Sequence, residues 1–246
     1  FQEDVVYHDL MLAVIDEQHR FGVHQRLTLA SKGKGVDMLV MTATPIPRTL
    51  MMTAYGDLDY SRLSEKPAGR KPVQTVVISN ERLGEVVAGI GRKLAEGAKV
   101  YWVCPLVEES ELTDFAAAAS RHEELSRHFG IDRVALVHGQ MKAADKDAAM
   151  ASFVDGPAQV LVATTVIEVG VNVPAATVMV IEHAENFGLA QLHQLRGRIG
   201  RGEKASTCIL LRSAQLTETA RERLGVLSQT EDGFVIAEKD LELRGA

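Results

Sequence analysis

The pattern of apolar and polar residues predicts short buried strands that alternate with helices. Leu10–Ile15 is a continuous apolar run, which is typical of a strand buried on both faces of a parallel sheet, and Asp37–Met41 is predicted to be a second buried strand. Leu58–Leu63 is predicted to be a third short strand. Helices are predicted at Phe21–Ala30 and Arg48–Ala54, where prolines force an extended entry into the second helix.

A segment rich in proline and charge, Ser64–Pro72, interrupts this pattern and predicts a domain boundary. Beyond it, strands are predicted at residues 73–78, 99–104, 134–137, 160–163, 177–181 and 206–211. Helices are predicted at residues 81–96, 115–129, 143–153, 189–199, 217–228 and 237–241. The regular alternation predicts an α/β fold with a doubly wound parallel sheet.

Polar residues follow the predicted strands at their carboxyl ends, where open α/β sheets bind ligands. Asp16 and Glu17 end the first strand. An Asp in this place can hold Mg²⁺ through water, and the neighbouring Glu can orient or deprotonate an attacking water. An alternative interpretation makes Asp16 the N-cap of the following helix.

Three arginines, Arg196, Arg198 and Arg201, lie within six positions and have glycines beside them. We expect Arg198 and Arg201 to share a helix face, since they are three residues apart. Their planar guanidinium groups match phosphate oxygens. Two interpretations remain: a solvated basic helix end, or arginine fingers that act on a nucleotide held by another domain.

Composition narrows the function classes. The 246 residues suffice for one large or two medium domains. A net charge of −6 argues against an indiscriminate nucleic-acid coat but permits a local basic track. Cys104 and Cys208 stand singly in apolar runs, without metal spacing, so we expect reduced core thiols. No apolar run approaches the roughly 18 residues of a membrane span, and we expect a cytoplasmic protein.

The order of these motifs resembles the superfamily 2 helicases and translocases, which hold ATP between two RecA-like lobes. The resemblance implies that Asp16 binds Mg²⁺ through water and that Glu17 activates the hydrolytic water. It also implies γ-phosphate contacts by Arg198 and Arg201. The remaining implied nucleotide-site residues are Gln18, His19, Gly170 and Gln194. The implied DNA-binding or coupling residues are Thr42, Thr44, Arg48, Thr164, Thr165 and Arg244.

Longer strings are similar to the RecG family of branched-DNA translocases: Ile15–Val23, Thr42–Leu50, Asn186–Arg198 and Asp232–Gly245. This resemblance implies an ATP-dependent and Mg²⁺-dependent enzyme that works as a monomer on stalled forks and Holliday junctions. Residues 1–66 correspond to the end of the first lobe. Residues 67–212 correspond to the second lobe, and residues 213–246 to the start of a helical translocation hairpin.

Two features of the family pattern are missing from this sequence: a phosphate-binding Walker A loop and the upstream wedge domain. We therefore expect a fragment of a longer protein, and we expect it not to hydrolyse ATP alone. An unpaired sheet edge in residues 1–63 is expected to be loosely held or to pair with a second molecule. The second lobe, residues 73–212, is expected to fold alone.

Two alternatives remain at this stage. The first is a transcription-repair coupling translocase of the Mfd family, which usually has Asp-Glu-Glu-His where this chain has Asp16-Glu17-Gln18-His19. A test of binding to RNA polymerase would distinguish that function from the RecG interpretation. The second is a non-enzymatic nucleic-acid-binding module, with weak and salt-sensitive phosphate contacts.

Overall fold

The computed structural model describes residues 4–17, 22–43, 59–63, 65, 69–105, 111–164 and 173–245. The predicted helix Arg48–Ala54 lies outside these ranges. Contacts divide the chain into two compact units, residues 1–46 and residues 47–246.

The first unit contains two parallel strands, β1 (Leu12–Ile15) and β2 (Asp37–Val40), joined through helix α1 (Val23–Ala30). The register pairs Leu12 with Asp37 and Ile15 with Val40. The predicted strands and helix are thus present, each shorter than expected.

Burial in β1 alternates along the strand. Ala13 and Ile15 are buried with Leu29 of α1, whereas Leu12 and Val14 are exposed. The expectation of burial on both faces is therefore wrong for β1. Within the described residues, α1 covers one face of the two strands and the other face remains open.

The second unit is built on a six-stranded sheet in the order β3-β8-β7-β4-β6-β5, with every neighbouring pair parallel. Its strands are β3 (Val73–Ser79), β4 (Lys99–Val103), β5 (Val134–Val137), β6 (Val160–Ala163), β7 (Ala176–Ile181) and β8 (Ser206–Arg212). Its described helices are α2 (Leu83–Ala95), α3 (Glu111–Phe129), α4 (Ala143–Val154), α5 (Leu189–Arg196), α6 (Glu218–Gln229) and α7 (Gly233–Arg244).

Helices cover both faces of this sheet. Trp102 of β4 packs into a core with α2 and α3, while its neighbour Tyr101 packs into a second core with α4, α5, α6 and α7. The inner strands β6 and β7 are buried along their whole length, as their apolar sequences predict. The doubly wound α/β fold and the C-terminal pair of helices are confirmed.

The structure also corrects the sequence prediction. Over the described residues 59–63, the predicted strand Leu58–Leu63 is wrong, because these residues pair with no strand. Helix α7 begins at Gly233, four residues earlier than predicted, because Asp232 accepts a hydrogen bond from the amide of Phe234 (2.8 Å) and caps the helix. Within the described part of the chain, none of the helices has the length and apolar character needed to cross a membrane.

Candidate functional site

The arginine cluster lies mostly in a loop rather than on a helix. Helix α5 ends at Arg196, and residues 197–202, which we name the arginine loop, run from there towards β8. Gly200 has a φ of 70°, in the left-handed region that favours glycine. The expectation that Arg198 and Arg201 share a helix face is therefore wrong, because the backbone leaves helical geometry between them.

Gly200 fits tightly against the start of β3. A Cβ added to it would lie 2.6 Å from Cγ2 of Val73. The Nε–H of Arg70 donates a hydrogen bond to the carbonyl oxygen of Gly200 (2.9 Å). The arginine loop is thus held by the segment that enters the sheet.

Positive charge is concentrated at this loop. Partial burial, together with the charges of Arg198 and Arg70, lowers the pKa of Arg201. Burial raises the pKa of the Tyr101 phenol, and the charges of Arg198 and Arg201 oppose that rise. Arg201 thus lies near the positive charges of Arg198 and Arg70, and positive groups gathered in this way attract an anion.

Arg196 has a different role from the other two arginines. Its side chain is 3% exposed, and its Nη1 donates hydrogen bonds to the carbonyl oxygens of Leu227 (2.7 Å) and Thr230 (2.9 Å). Burial lowers its pKa. Arg196 therefore fastens α5 to the end of α6. The sequence carried a signal for this burial, since Leu189 and Leu192, seven and four residues earlier, place position 196 on the apolar side of the helix.

The turn between α6 and α7 also holds the segment before β3. The amide of Val73 donates a hydrogen bond to Glu231. Arg62 pairs with Asp232 (3.2 Å) and lies over the ring of Phe234, 3.6 Å from its centroid. Sequence reasoning missed these contacts and that of Arg70, because the partners are separated by more than 100 residues.

Thr164 lies far from the arginine loop in the sheet topology. It follows the carboxyl end of β6, whereas the arginine loop precedes the amino end of β8, so the two occupy opposite edges of the parallel sheet. Thr164 is buried, and its Oγ1 has no hydrogen-bond partner among the described residues. A buried hydroxyl in this condition is a candidate for a functional contact.

Gln194 is exposed on α5.

In the first unit, Asp16 and Glu17 directly follow β1. Asp16 Oδ1 accepts a hydrogen bond from the amide of Glu17 (2.8 Å), and Glu17 has a φ of 53°. Thr42 follows the adjacent parallel strand β2, so it lies at the same edge as the two carboxylates. The N-cap of α1 is Gly22, which shows that the alternative interpretation of Asp16 as a helix cap is wrong.

The two carboxylates suit a magnesium ion held through water. Mg²⁺ prefers carboxylate oxygens and usually takes one or two of them together with substrate phosphates. No cluster of three or more His, Cys, Asp or Glu side chains suited to a metal occurs in the described ranges. The Mg²⁺ contact of Asp16 and the role of Glu17 towards water therefore stay predictions.

The other predicted site residues lie outside the described residues: Gln18, His19, Thr44, Arg48, Thr165 and Gly170. Arg244 is the last residue of α7, and its side chain is not among the parts of the chain that the structure describes.

Comparisons with known proteins address the family. Residues 80–203 match the helicase conserved C-terminal domain. The ATP-dependent DNA helicase RecG of Escherichia coli is 56% identical over the whole chain, which covers 36% of that protein. The RecG of Streptococcus pneumoniae is 50% identical, with the same coverage. The chain thus spans about a third of the length of these relatives.

Solved structures agree with these relatives. A structure of RecG bound to a three-way DNA junction matches 99% of this chain and 31% of its own, with a TM-score of 0.80 and 45% identity. Saccharomyces cerevisiae Dbp5 bound to RNA matches 95% of this chain and 62% of its own, with a TM-score of 0.61 and 13% identity, which supports the fold alone. The chain therefore belongs to the family of helicase conserved C-terminal domains, and it resembles the RecG helicases along its whole length.

Proposed function

We propose that this chain is part of an ATP-dependent translocase that acts on branched double-stranded DNA, at stalled replication forks and Holliday junctions. Residues 1–66 supply the end of the first RecA-like lobe, residues 67–212 the second lobe, and residues 213–246 the start of the translocation hairpin. The observation that carries the proposal is the arginine loop, a concentrated positive site in a chain 56% identical to a DNA helicase.

The arginines supply charge stabilisation during phosphoryl transfer. Negative charge spreads over the γ-phosphate oxygens in the transition state, and guanidinium groups placed against them lower its energy. We assign this role to Arg198 and Arg201, whose positive charges lie near each other in the arginine loop.

The carboxylates supply the remaining chemistry. Asp16 holds Mg²⁺ through water, and Glu17 orients and deprotonates the hydrolytic water. When bound, the ion would supply positive charge against the phosphates. Gln18, His19, Gly170 and Gln194 complete the nucleotide side of the site.

DNA contacts come from residues at strand ends and in the hairpin. Thr164 offers a buried hydroxyl whose hydrogen bond is unfilled among the described residues, and a phosphate oxygen of DNA can accept it. The same function is proposed for Thr42, Thr44, Arg48, Thr165 and Arg244. The RecG structure bound to a three-way junction supports branched DNA as the substrate class. Because such an enzyme serves repair and recombination of a bacterial chromosome, a cytoplasmic location is part of the proposal.

Arg196 connects hydrolysis with movement. Its hydrogen bonds tie α5, which leads into the arginine loop, to the backbone of α6 and the turn that follows. A shift of the arginine loop on nucleotide binding is therefore passed to the α6–α7 pair. The relatives named above are RecG helicases, and they do not favour the Mfd alternative.

The test is an ATPase assay on a full-length protein that carries this chain. Arg198→Ala is expected to lower DNA-stimulated hydrolysis by about 10³-fold, the effect of losing an arginine finger. Binding to a three-way junction should remain near the wild-type level, because the transition-state charge is absent from the DNA complex. Arg92→Ala, at an exposed arginine of α2, is the matched control. Equal hydrolysis by Arg198→Ala and the control would refute the assignment.

A further inference from the structure

We propose that Arg70, in the segment that leads into β3, is a positioning residue that holds the arginine loop in place for hydrolysis. The inference rests on the proposed function and adds a residue from the predicted linker Ser64–Pro72. Arg70 lies 130 residues from its partner Gly200, so sequence spacing gave no indication of the contact.

The hydrogen bond acts directly on the backbone next to Arg201. The Nε–H of Arg70 donates to the carbonyl of Gly200 at 2.9 Å, in a partly buried position. That carbonyl belongs to the peptide group that joins Gly200 to Arg201. A hydrogen bond that fixes the direction of this carbonyl also fixes the plane of the peptide group, and with it the position of the Arg201 amide.

The arginine loop needs such a restraint because of its charge. The positive charges of Arg198 and Arg70 both act on Arg201. Like charges favour a loop conformation that separates them. The hydrogen bond to Gly200, together with the close fit of Gly200 against Val73, opposes that separation before a nucleotide arrives. The arrangement pre-organises the loop for an anion.

Other contacts already hold the start of β3. Strand β3 pairs with β8 over seven residues, from Val73 with Ser206 to Ser79 with Arg212. The amide of Val73 is bonded to Glu231. Loss of the Arg70 contact should therefore leave the sheet intact and change the conformation of the arginine loop alone.

Steady-state kinetics on the full-length protein give the first test. Arg70→Met removes the donor, and it is expected to lower kcat of DNA-stimulated hydrolysis by about tenfold to a hundredfold, the scale of a misplaced catalytic group. The KM for ATP should change less than about twofold. Arg70→Lys should recover most of the rate, because an ammonium group can donate to the same carbonyl. Wild-type kcat in Arg70→Met would overturn the proposal.

A double-mutant cycle separates positioning from general structural support. In an Arg201→Ala background, Arg70→Met should cause little further loss, since the group it positions is gone. A structural role would instead multiply the two losses, and that result would overturn the proposal. Arg92→Met serves as the matched control in both backgrounds.

Hydrogen exchange tests the contact without relying on hydrolysis. In full-length Arg70→Met, peptides that cover residues 197–203 should exchange faster, while peptides of β7 remain as protected as in the wild type. Unchanged exchange at residues 197–203 would overturn the proposal. If the unmodified protein shows no DNA-stimulated hydrolysis, the proposed function fails, whereas the exchange result still decides whether Arg70 restrains the loop.

Discussion

The two units hold their candidate site residues on sheets that differ in size and in how far helices cover them. The first unit holds its carboxylates, Asp16 and Glu17, on a two-stranded sheet whose described core consists of Ala13, Ile15 and Leu29. The second unit holds its arginines beside a six-stranded sheet with helices on both faces. A two-stranded sheet is marginal by itself, whereas a covered six-stranded sheet supports a rigid site. The candidate residues of the two units thus rest on elements of unequal stability.

The largest expected effect is a difference in amide hydrogen-exchange protection between the two units, measured on this chain in dilute solution. Amides of β1 and β2 should exchange through openings that cost about 1–2 kcal/mol, because one face of the pair is exposed. Amides of β6 and β7 should exchange only through global unfolding, at about 5–15 kcal/mol. Equal protection in both units would break the comparison.

A second effect should be confined to the second unit. Arg196→Met removes the donor to the buried carbonyl of Leu227 and to the partly buried carbonyl of Thr230, and each such loss costs up to about 1–3 kcal/mol. We expect the free energy of unfolding to fall by about 2–4 kcal/mol in denaturant titrations. Arg92→Met, at an exposed position, should change it by less than about 0.5 kcal/mol. Similar values for both variants would show that α5 is not fastened through Arg196.

The smallest expected effect concerns pH and Glu185, at the carboxyl edge of the large sheet. Burial alone would raise the pKa of Glu185, but hydrogen bonds from the Ser213 hydroxyl and amide and from His183 outweigh it and hold the pKa below 4.5. A lowered folded pKa adds stability above the unfolded pKa, and this is lost as pH falls through the folded value.

Glu185→Gln should therefore cost less than about 1 kcal/mol near neutral pH, and its difference from the wild type should shrink below about pH 4. Chemical unfolding at several pH values measures this. Glu203→Gln, at an exposed glutamate, is the matched control. A difference that grows on acidification would contradict the hydrogen-bond network.

Periodicity predicted much of the fold and little of the loop geometry. The apolar runs of β4, β6 and β7 predicted a parallel sheet, because strands that are covered on both faces must be apolar throughout. The run at β1 has the same composition, yet its side chains alternate between buried and exposed. Composition gives the capacity of a strand to be buried, and only neighbouring elements decide whether burial occurs.

The candidate site divides in the same way. The sequence by itself placed Asp16 and Glu17 after a strand, and it placed Arg198 and Arg201 beside glycines, because local order and residue chemistry suffice for that. Only the tertiary structure assigned Arg196 its carbonyl partners at the end of α6, and Arg70 its contact with the arginine loop. Those assignments depend on hydrogen bonds between residues far apart in the chain, and such contacts exist only once the sheet has brought its strands together.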